Sequence, residues 1–182
     1  PTKPCHFPLI ETGSTSIMGD IRDFDLLDKV FKDYNPDIVF HLAAQPLVRA
    51  SFEDPMLTYK TNIIGSLNLL ELSRKHNVQA FINVTSDKVY DNKEWVYGYR
   101  ELDNLGGYDP YSSSKACSEI ITNAYRNSFF NKDTYGSFHN TLVASCRAGN
   151  VIGGGDWAKD RLIPDVIRSL YEKKNLIIRN PK

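Results

Sequence analysis

An almost unbroken apolar run, DIVFHLAA at residues 37–44, most constrains what this chain can fold into. A strand with apolar side chains at nearly every position is typical of a parallel sheet that is covered on both faces. Two further runs of this kind follow, AFINVTS at 80–86 and TLVASCRAG at 141–149. Helical patterns separate the runs, and this alternation predicts βαβ units and an α/β fold with a doubly wound parallel sheet.

The spacing of apolar residues predicts the remaining elements. Helices are expected in four stretches, which are 24–35, 55–75, about 110–130 and 161–174. Two short pieces are strand-like, SIMGD at 16–20 and LIIR at 176–179, whereas residues 1–15 and 91–109 indicate surface loops.

Composition excludes several classes of protein. Of the 182 residues, 41% are hydrophobic and 24% are charged, as in ordinary globular proteins. Lys+Arg and Asp+Glu are both 22, so the chain lacks the basic footprint of a nucleic-acid-binding protein. No run approaches the roughly 18–20 apolar residues of a membrane span. We expect a cytoplasmic protein with reduced cysteines, no metal site and neither nucleic acid nor membrane as a partner.

Polar residues follow each of the three predicted strands. The segments are HLAAQ at 41–45, SDK at 86–88 and RAGN at 147–150. Ligands of open parallel sheets bind outside the carboxyl ends of the strands. The three segments are therefore candidates for the floor of one site.

The pattern YSSSK places Tyr111 and Lys115 four residues apart at the start of a predicted helix. This spacing brings both side chains to one face of the helix. An ammonium group beside a phenol favours the phenolate, which can accept a proton from a sugar or alcohol hydroxyl. The pattern is short, and an unrelated pair on an exposed helix face is the alternative.

Asp87 and Lys88 form a second pair, directly after a buried strand. As a simple ion pair in a loop it would contribute roughly 0–1 kcal/mol. As an acid and a base aimed at one substrate it would require Lys88 to be neutral and Asp87 to be protonated. The two residues taken alone leave both interpretations open.

Five motifs, in order along the chain, carry a resemblance to a known family. They are HLAAQPLVR (41–49), NVTSDKVY (83–90), GYDPYSSSK (107–115), RAGNVIGGGDW (147–157) and DRLIPD (160–165). Together they resemble the CDP-glucose 4,6-dehydratase family of the extended short-chain dehydrogenase/reductase superfamily. Dehydratases acting on deoxythymidine-diphosphate glucose are similar but carry Thr-Asp-Glu where this chain has Ser86, Asp87 and Lys88.

The resemblance implies a Rossmann-like fold, NAD as cofactor, CDP-glucose or a related nucleotide sugar as substrate, and a homodimer. In this family's reaction C4 of the glucose is oxidised, water leaves across C5 and C6, and hydride returns to C6. Tyr111 would be the catalytic base or acid at C4, with Lys115 as its partner, and Ser86 would orient the substrate. Asp87 would be the acid at C6 and Lys88 the base at C5.

Further contacts are implied by the same resemblance. The cofactor would be bound by Tyr111 and Lys115 together with Asp20, Ile21, Leu42, Ala43, Ala44 and Asn62. The substrate would be bound by Gln45, Ser86, Arg147, Asn150, Arg161 and Arg179.

A glycine-rich dinucleotide turn is not found ahead of residue 16, where members of the family carry it. We therefore expect an incomplete NAD-binding domain at 1–148 and the start of a nucleotide-sugar-binding region at 149–182. Without the helix N-terminus that holds the phosphates, the isolated chain should bind NAD poorly and be inactive.

Two other functions compete with dehydration. A nucleotide-sugar epimerase or reductase of the same superfamily would share Ser86, Tyr111 and Lys115 but would not need the pair Asp87 and Lys88. The second is a non-catalytic remnant of an NAD-binding domain.

Overall fold

A computed structural model of the chain describes residue 10 and residues 13–179. These residues group into two compact units, Met18–Gly149 and a second unit that contains residues 10, 13–17 and 150–179. The predicted loop at 1–15 lies mostly outside the described residues. The functional division into 1–148 and 149–182 stays a prediction.

Three parallel strands form the sheet of the first unit. They are β1 (Ile38–His41), β2 (Ala80–Val84) and β3 (Leu142–Cys146), in the order β1-β2-β3. The register places His41 beside Asn83 and Val84 beside Cys146. The strands come from the three predicted apolar runs, which confirms the parallel α/β fold.

The helices lie between and after these strands. They are α1 (Phe24–Tyr34), α2 (Val48–Glu53), α3 (Pro55–Tyr59), α4 (Gly65–Lys75), α5 (Pro110–Ser128) and α6 (Leu162–Tyr171). Single 3₁₀ turns occur at Asp87–Val89 and Lys132–Thr134. The four predicted helices are confirmed, whereas the short α2 was not predicted.

Local sequence explains where two of these helices begin. The Asp23 carboxylate accepts a hydrogen bond from Leu26 N at the start of α1. The Asp109 carboxylate does the same for Ser112 N at the start of α5, where Pro110 is the first helical residue. Such caps satisfy backbone N–H groups that have no partner within a helix.

The predicted helix at 55–75 contains one irregular turn. Between α3 and α4, Lys60–Ile64 forms a π-helical turn in which Gly65 N donates to Lys60 O. The wider turn contains Asn62, a predicted cofactor residue that is buried here. Single π turns within helices are frequent at functional sites.

The core lies on one face of the sheet. Val39, Phe81 and Val143 occupy the same register row and pack with α1, α4 and α5. On the opposite face Ile38 and Phe40 are 52% and 64% exposed, and Leu142 of β3 is 54% exposed. Among the described residues, only one face of β1 and β3 is therefore well covered.

The two short strand predictions were wrong. Neither residues 16–20 nor residues 176–179 form a strand. A strand needs a partner for its backbone hydrogen bonds, and within the described residues the sheet pairs only β1, β2 and β3. A helix long and apolar enough to cross a membrane is not found between residues 13 and 179.

Candidate active site

The carboxyl ends of β1, β2 and β3 lie at one edge of the sheet, because the strands are parallel and adjacent. The HLAAQ segment, the Ser86–Lys88 segment and Arg147 follow these ends directly. Within the first unit the sheet therefore brings HLAAQ, Ser86–Lys88 and Arg147 to the same edge, whereas Asn150, the last residue of the predicted RAGN segment, belongs to the second unit.

The turn after β2 is held by its neighbours. Ser86 caps the 3₁₀ turn, and its Oγ accepts a hydrogen bond from Lys88 N at 3.2 Å. Asp87 N donates to Ala148 O at 2.9 Å, which ties the turn to the segment after β3. Val89 is fully buried and anchors the end of the turn.

Asp87 and Lys88 make direct contact in this turn. The Lys88 Nζ lies 3.2 Å from Asp87 Oδ1, and the two side chains are 40% and 52% exposed, respectively. The Ser86 hydroxyl also donates to Asp87 Oδ1, at 3.1 Å. The pair is accessible from solvent and therefore also to a substrate.

Tyr111 and Lys115 are both buried on α5, one turn apart. The Lys115 Nζ donates to Val84 O at 3.0 Å, two residues before Ser86. Burial lowers the pKa of Lys115 to about 8, although the negative charge of Glu119 opposes this shift. Because α5 also packs against the Asp87–Val89 turn, the two predicted catalytic pairs belong to adjoining elements.

His41 at the end of β1 is neutral and fixed in orientation. Ser66 Oγ donates its only hydrogen to Asn62 O, so it must accept from His41 Nε2 at 2.8 Å. Burial, and next the positive charge of Lys115, lower the pKa of His41 to about 4. Its Nδ1 and the neighbouring Asn83 Oδ1 are buried acceptors without a hydrogen-bond partner in the described structure.

Asn62 connects the segment after β1 to α5. Its Oδ1 accepts from Gln45 N at 2.8 Å, and its Nδ2 donates to Gln45 O and to Ser114 Oγ. The Gln45 side chain is itself bonded to Thr58 Oγ1 and to the backbone of Leu47. Asn62 thus fixes the backbone that a cofactor would approach. Binding of the cofactor by Asn62 and of the substrate by Gln45 stay predictions.

The other predicted cofactor residues are accessible. Leu42 and Ala43 are exposed, and Ala44 is partly exposed. Asp20 is exposed and accepts hydrogen bonds from Nε and Nη2 of Arg22 and from the Arg22 backbone N–H, which lower its pKa to about 2.

Ile21 docks this segment onto α4. A Cβ at Gly65 would lie 2.3 Å from Ile21 Cδ1, so only glycine permits this approach. The Asn68 side chain donates to Ile21 O at 3.0 Å.

Arg147 is engaged by protein groups. Its Nε and Nη2 donate to Glu119 Oε1 and Oε2 at 3.0 and 3.3 Å, and its Nη1 donates to Glu101 O at 3.0 Å. The guanidinium also lies over the Tyr90 ring, 4.7 Å from its centroid. A contact between Arg147 and the substrate stays a prediction. All three guanidinium nitrogens of Arg147 already donate to acceptors within the protein.

The remaining predicted substrate residues, Asn150, Arg161 and Arg179, lie in the second unit. Arg161 pairs with Asp156 at 3.4 Å. Arg179 pairs with Asp165 at 2.6 Å and with Asp160 at 3.3 Å. Their roles toward substrate stay predictions.

Sequence reasoning missed Glu119, Thr85 and Gly65. One signal for Glu119 was available, because it follows Lys115 by four residues and so shares its helix face. The contacts of Thr85 and Gly65 are with residues distant along the chain, which spacing does not reveal.

The parallel sheet and its helices define a Rossmann-like α/β fold, with the candidate catalytic residues at its strand ends. A model of the GDP-mannose 4,6 dehydratase family matches residues 9–150, and the chain belongs to this family.

The chain is also similar to an individual relative along its whole length. It is 54% identical over 184 aligned positions to the CDP-glucose 4,6-dehydratase of Salmonella typhimurium, covering 100% of this chain and 51% of the relative. The chain thus spans about half the length of the relatives that it matches. The resemblance inferred from the five motifs is confirmed.

Solved structures agree with this assignment of fold and family. The dTDP-glucose 4,6-dehydratase DesIV from Streptomyces venezuelae, with NAD and TYD bound, matches with a TM-score of 0.72 and 26% identity, covering 87% of this chain and 45% of that one. An epimerase from Methanothermobacter thermautotrophicus matches with a TM-score of 0.76 and 28% identity, covering 88% and 45%. Dehydratases and epimerases therefore share this fold.

Proposed function

We propose that the protein is an NAD-dependent lyase that converts CDP-glucose to CDP-4-keto-6-deoxyglucose. The observation that carries the proposal is the convergence of two pairs at the end of β2. Lys115 reaches Val84 O from the helix that carries Tyr111, and Asp87 and Lys88 form the next turn of chain. The 54% identity to a CDP-glucose 4,6-dehydratase supports the choice of dehydration and of this nucleotide sugar.

The residues present fit NAD. An ammonium group has three N–H donors, and Val84 O is the one hydrogen-bond acceptor of Lys115 in the described structure. The remaining donors can bind ribose hydroxyls. Leu42 and Ala43 are exposed at the end of β1, where the backbone can be approached closely. When bound, NAD supplies the acceptor, and later the donor, of the hydride.

Tyr111 acts on the C4 hydroxyl of glucose. Tyr111, as the base, takes the proton of this hydroxyl while C4 is oxidised, with Lys115 one helical turn away as its partner. Ser86 Oγ, which already donates to Asp87, orients the substrate next to the acid–base pair. The ketone formed at C4 acidifies the proton at C5.

Asp87 and Lys88 then perform the elimination. Lys88 removes the C5 proton, and Asp87 donates a proton to the leaving C6 hydroxyl. The required neutral pair differs from an ion pair only by one proton, which moves from Lys88 Nζ to Asp87 Oδ1 across their 3.2 Å contact. A substrate that covers the exposed pair removes water from both charges, and desolvation favours the neutral form.

The test is to express the protein from its complete reading frame and incubate it with CDP-glucose and NAD. A 4-keto sugar, detected by its alkaline absorbance, is the expected product. dTDP-glucose and GDP-mannose at the same concentration serve as controls and should react far more slowly. Preferential use of either control would overturn the assignment of the nucleotide, and epimerisation without a keto product would favour the epimerase function.

Cytoplasmic location and a homodimer are retained as parts of this proposal. Both derive from the sequence and from resemblance to the family.

A further inference from the structure

Glu119 connects three elements at the edge of the sheet. It lies on α5, and its Oε1 accepts a hydrogen bond from Thr85 Oγ1 at 2.6 Å, directly after β2. The same carboxylate pairs with Arg147, directly after β3, at 3.0 Å. The Glu119 and Arg147 side chains are only 7% and 17% exposed. A carboxylate this deeply buried requires such partners.

Arg147 also contacts the loop that follows the Ser86–Lys88 turn. Its Nη1 donates to Glu101 O, and its guanidinium stacks on Tyr90. The planar guanidinium with its fixed donors suits this combination of a bidentate carboxylate and an aromatic face. One ion pair therefore fixes the loop, α5 and two strand ends together.

The backbone of the Ser86–Lys88 turn and of Thr85 before it is hydrogen-bonded to the end of β3 and to the residues that follow β3. Thr85 N donates to Cys146 O at 2.8 Å, and Asp87 N donates to Ala148 O at 2.9 Å. These bonds tie the turn to the end of β3 and the residues after it, and the bond from Lys115 Nζ to Val84 O ties the preceding residue to α5. The Thr85 hydroxyl adds a second bond to α5, closer to the turn, because it donates to Glu119 one residue before Ser86.

We propose that Glu119 is a positioning residue for the Ser86–Lys88 turn, and that Arg147 is the cation that holds Glu119 in place. The importance of the turn's placement for catalysis rests on the proposed function. Glu119 orients the turn through Thr85, while Arg147 acts through Glu119 and not on the substrate. Glu119 also faces Lys115 from the next turn of α5, so that its charge favours the protonated lysine.

Four substitutions separate a positioning role from general stabilisation. Thr85→Val removes the hydroxyl and keeps the ion pair, whereas Thr85→Ser keeps the hydroxyl and is the matched control. Glu119→Gln keeps an oxygen for Thr85 but loses the charge that pairs with Arg147. Should Glu119→Gln fail to fold, Arg147→Lys retains the charge and loses the two-pronged contact.

The experiment is amide hydrogen exchange, followed by NMR in the 182-residue chain. In Thr85→Val the amide of Asp87 should exchange about tenfold faster or more, while that of Leu72 in the core stays within about twofold. Thr85→Ser should restore the original rate at Asp87. Equal acceleration at Asp87 and Leu72 would overturn the proposal, since the contact would then only stabilise the fold.

A second readout concerns Lys115. It is faced by His41 from β1 and by Glu119 from its own helix. Glu119→Gln should lower the NMR titration midpoint of Lys115, whereas Arg147→Lys keeps the Glu119 charge and should leave the midpoint nearly unchanged. An unchanged midpoint in Glu119→Gln would show that Glu119 does not act on the lysine. Neither readout needs substrate, so a failed CDP-glucose assay would count against the proposed function alone.

Discussion

Two ion pairs lie at the same edge of the sheet and have similar lengths, but their surroundings differ. Lys88 and Asp87 are 3.2 Å apart, half exposed, and adjacent in sequence. Arg147 and Glu119 are 3.0 Å apart, largely buried, and joined by further bonds to Thr85 and Glu101. The exposed pair is open to a substrate, whereas the buried pair is closed in by its partners. The exposed pair is therefore suited to chemistry on a substrate, whereas the buried pair is suited to holding the exposed pair in place.

The strongest test of this comparison is Lys88→Arg in the CDP-glucose assay. Arginine keeps the positive charge beside Asp87 but does not release its proton near neutral pH. Product formation in a single turnover should therefore fall by about 10²–10⁴-fold, together with exchange of the C5 proton with solvent. Lys93→Arg, at a lysine that also pairs with a neighbouring aspartate, is the control and should retain activity. Full activity of Lys88→Arg would remove Lys88 as the base.

The second test compares the two pairs in the free energy of unfolding. Glu119→Ala leaves a buried guanidinium without its carboxylate and should cost about 3–5 kcal/mol. Asp87→Ala removes one partner of an exposed pair and should cost about 0–1 kcal/mol. Urea unfolding of the two variants measures both values. Equal losses would contradict the distinction between the buried and the exposed pair.

The third test concerns Lys115, a buried cation that forms no ion pair with any carboxylate of the described residues. Its pKa of about 8 lies below the 10.5 of an ordinary lysine, so between these pH values the unfolded chain binds more protons than the folded one. Stability should therefore rise with pH across this window. Lys115→Met removes the rise and should be more stable than the parent by about 2 kcal/mol at pH 7, since the shift corresponds to about 3 and the lost hydrogen bond to about 1.

Unfolding measured at pH 7, 8 and 10 checks this, because the advantage of Lys115→Met should shrink as the pH rises. Lys93→Met provides the contrast. The hydrogen bond from Lys93 to Asp91 raises the pKa of Lys93, so its contribution is fully present up to the ordinary lysine pKa and is lost only as the pH rises through the raised value. The difference between Lys93→Met and the parent should therefore stay constant from pH 7 to 10, and an equally constant difference for Lys115→Met would show that burial does not control Lys115.

Much of the fold follows from local features of the sequence. Asp109 and Pro110 mark the start of α5 because capping involves neighbours in sequence. Tyr111 and Lys115 share a helix face for the same reason. The pairing of three apolar strands in parallel follows from the helices that separate them.

Other features depend on contacts between distant residues. Glu119 and Arg147 are 28 residues apart, and charge alone does not identify which of many carboxylates binds which cation. SIMGD has strand-like residues at 16–20, but strand formation depends on a partner that sequence pattern does not supply. The docking of Ile21 at Gly65 likewise depends on how α4 is placed.

The exposed face of the sheet has a consequence for how the chain reaches its working state. Ile38, Phe40 and Leu142 present apolar surface to water after the strands have paired. Apolar surface that stays open attracts other chains as readily as it attracts a specific partner. Any surface that covers this face must therefore compete with aggregation. The yield of usable protein in a cell then depends on which of these two processes is faster.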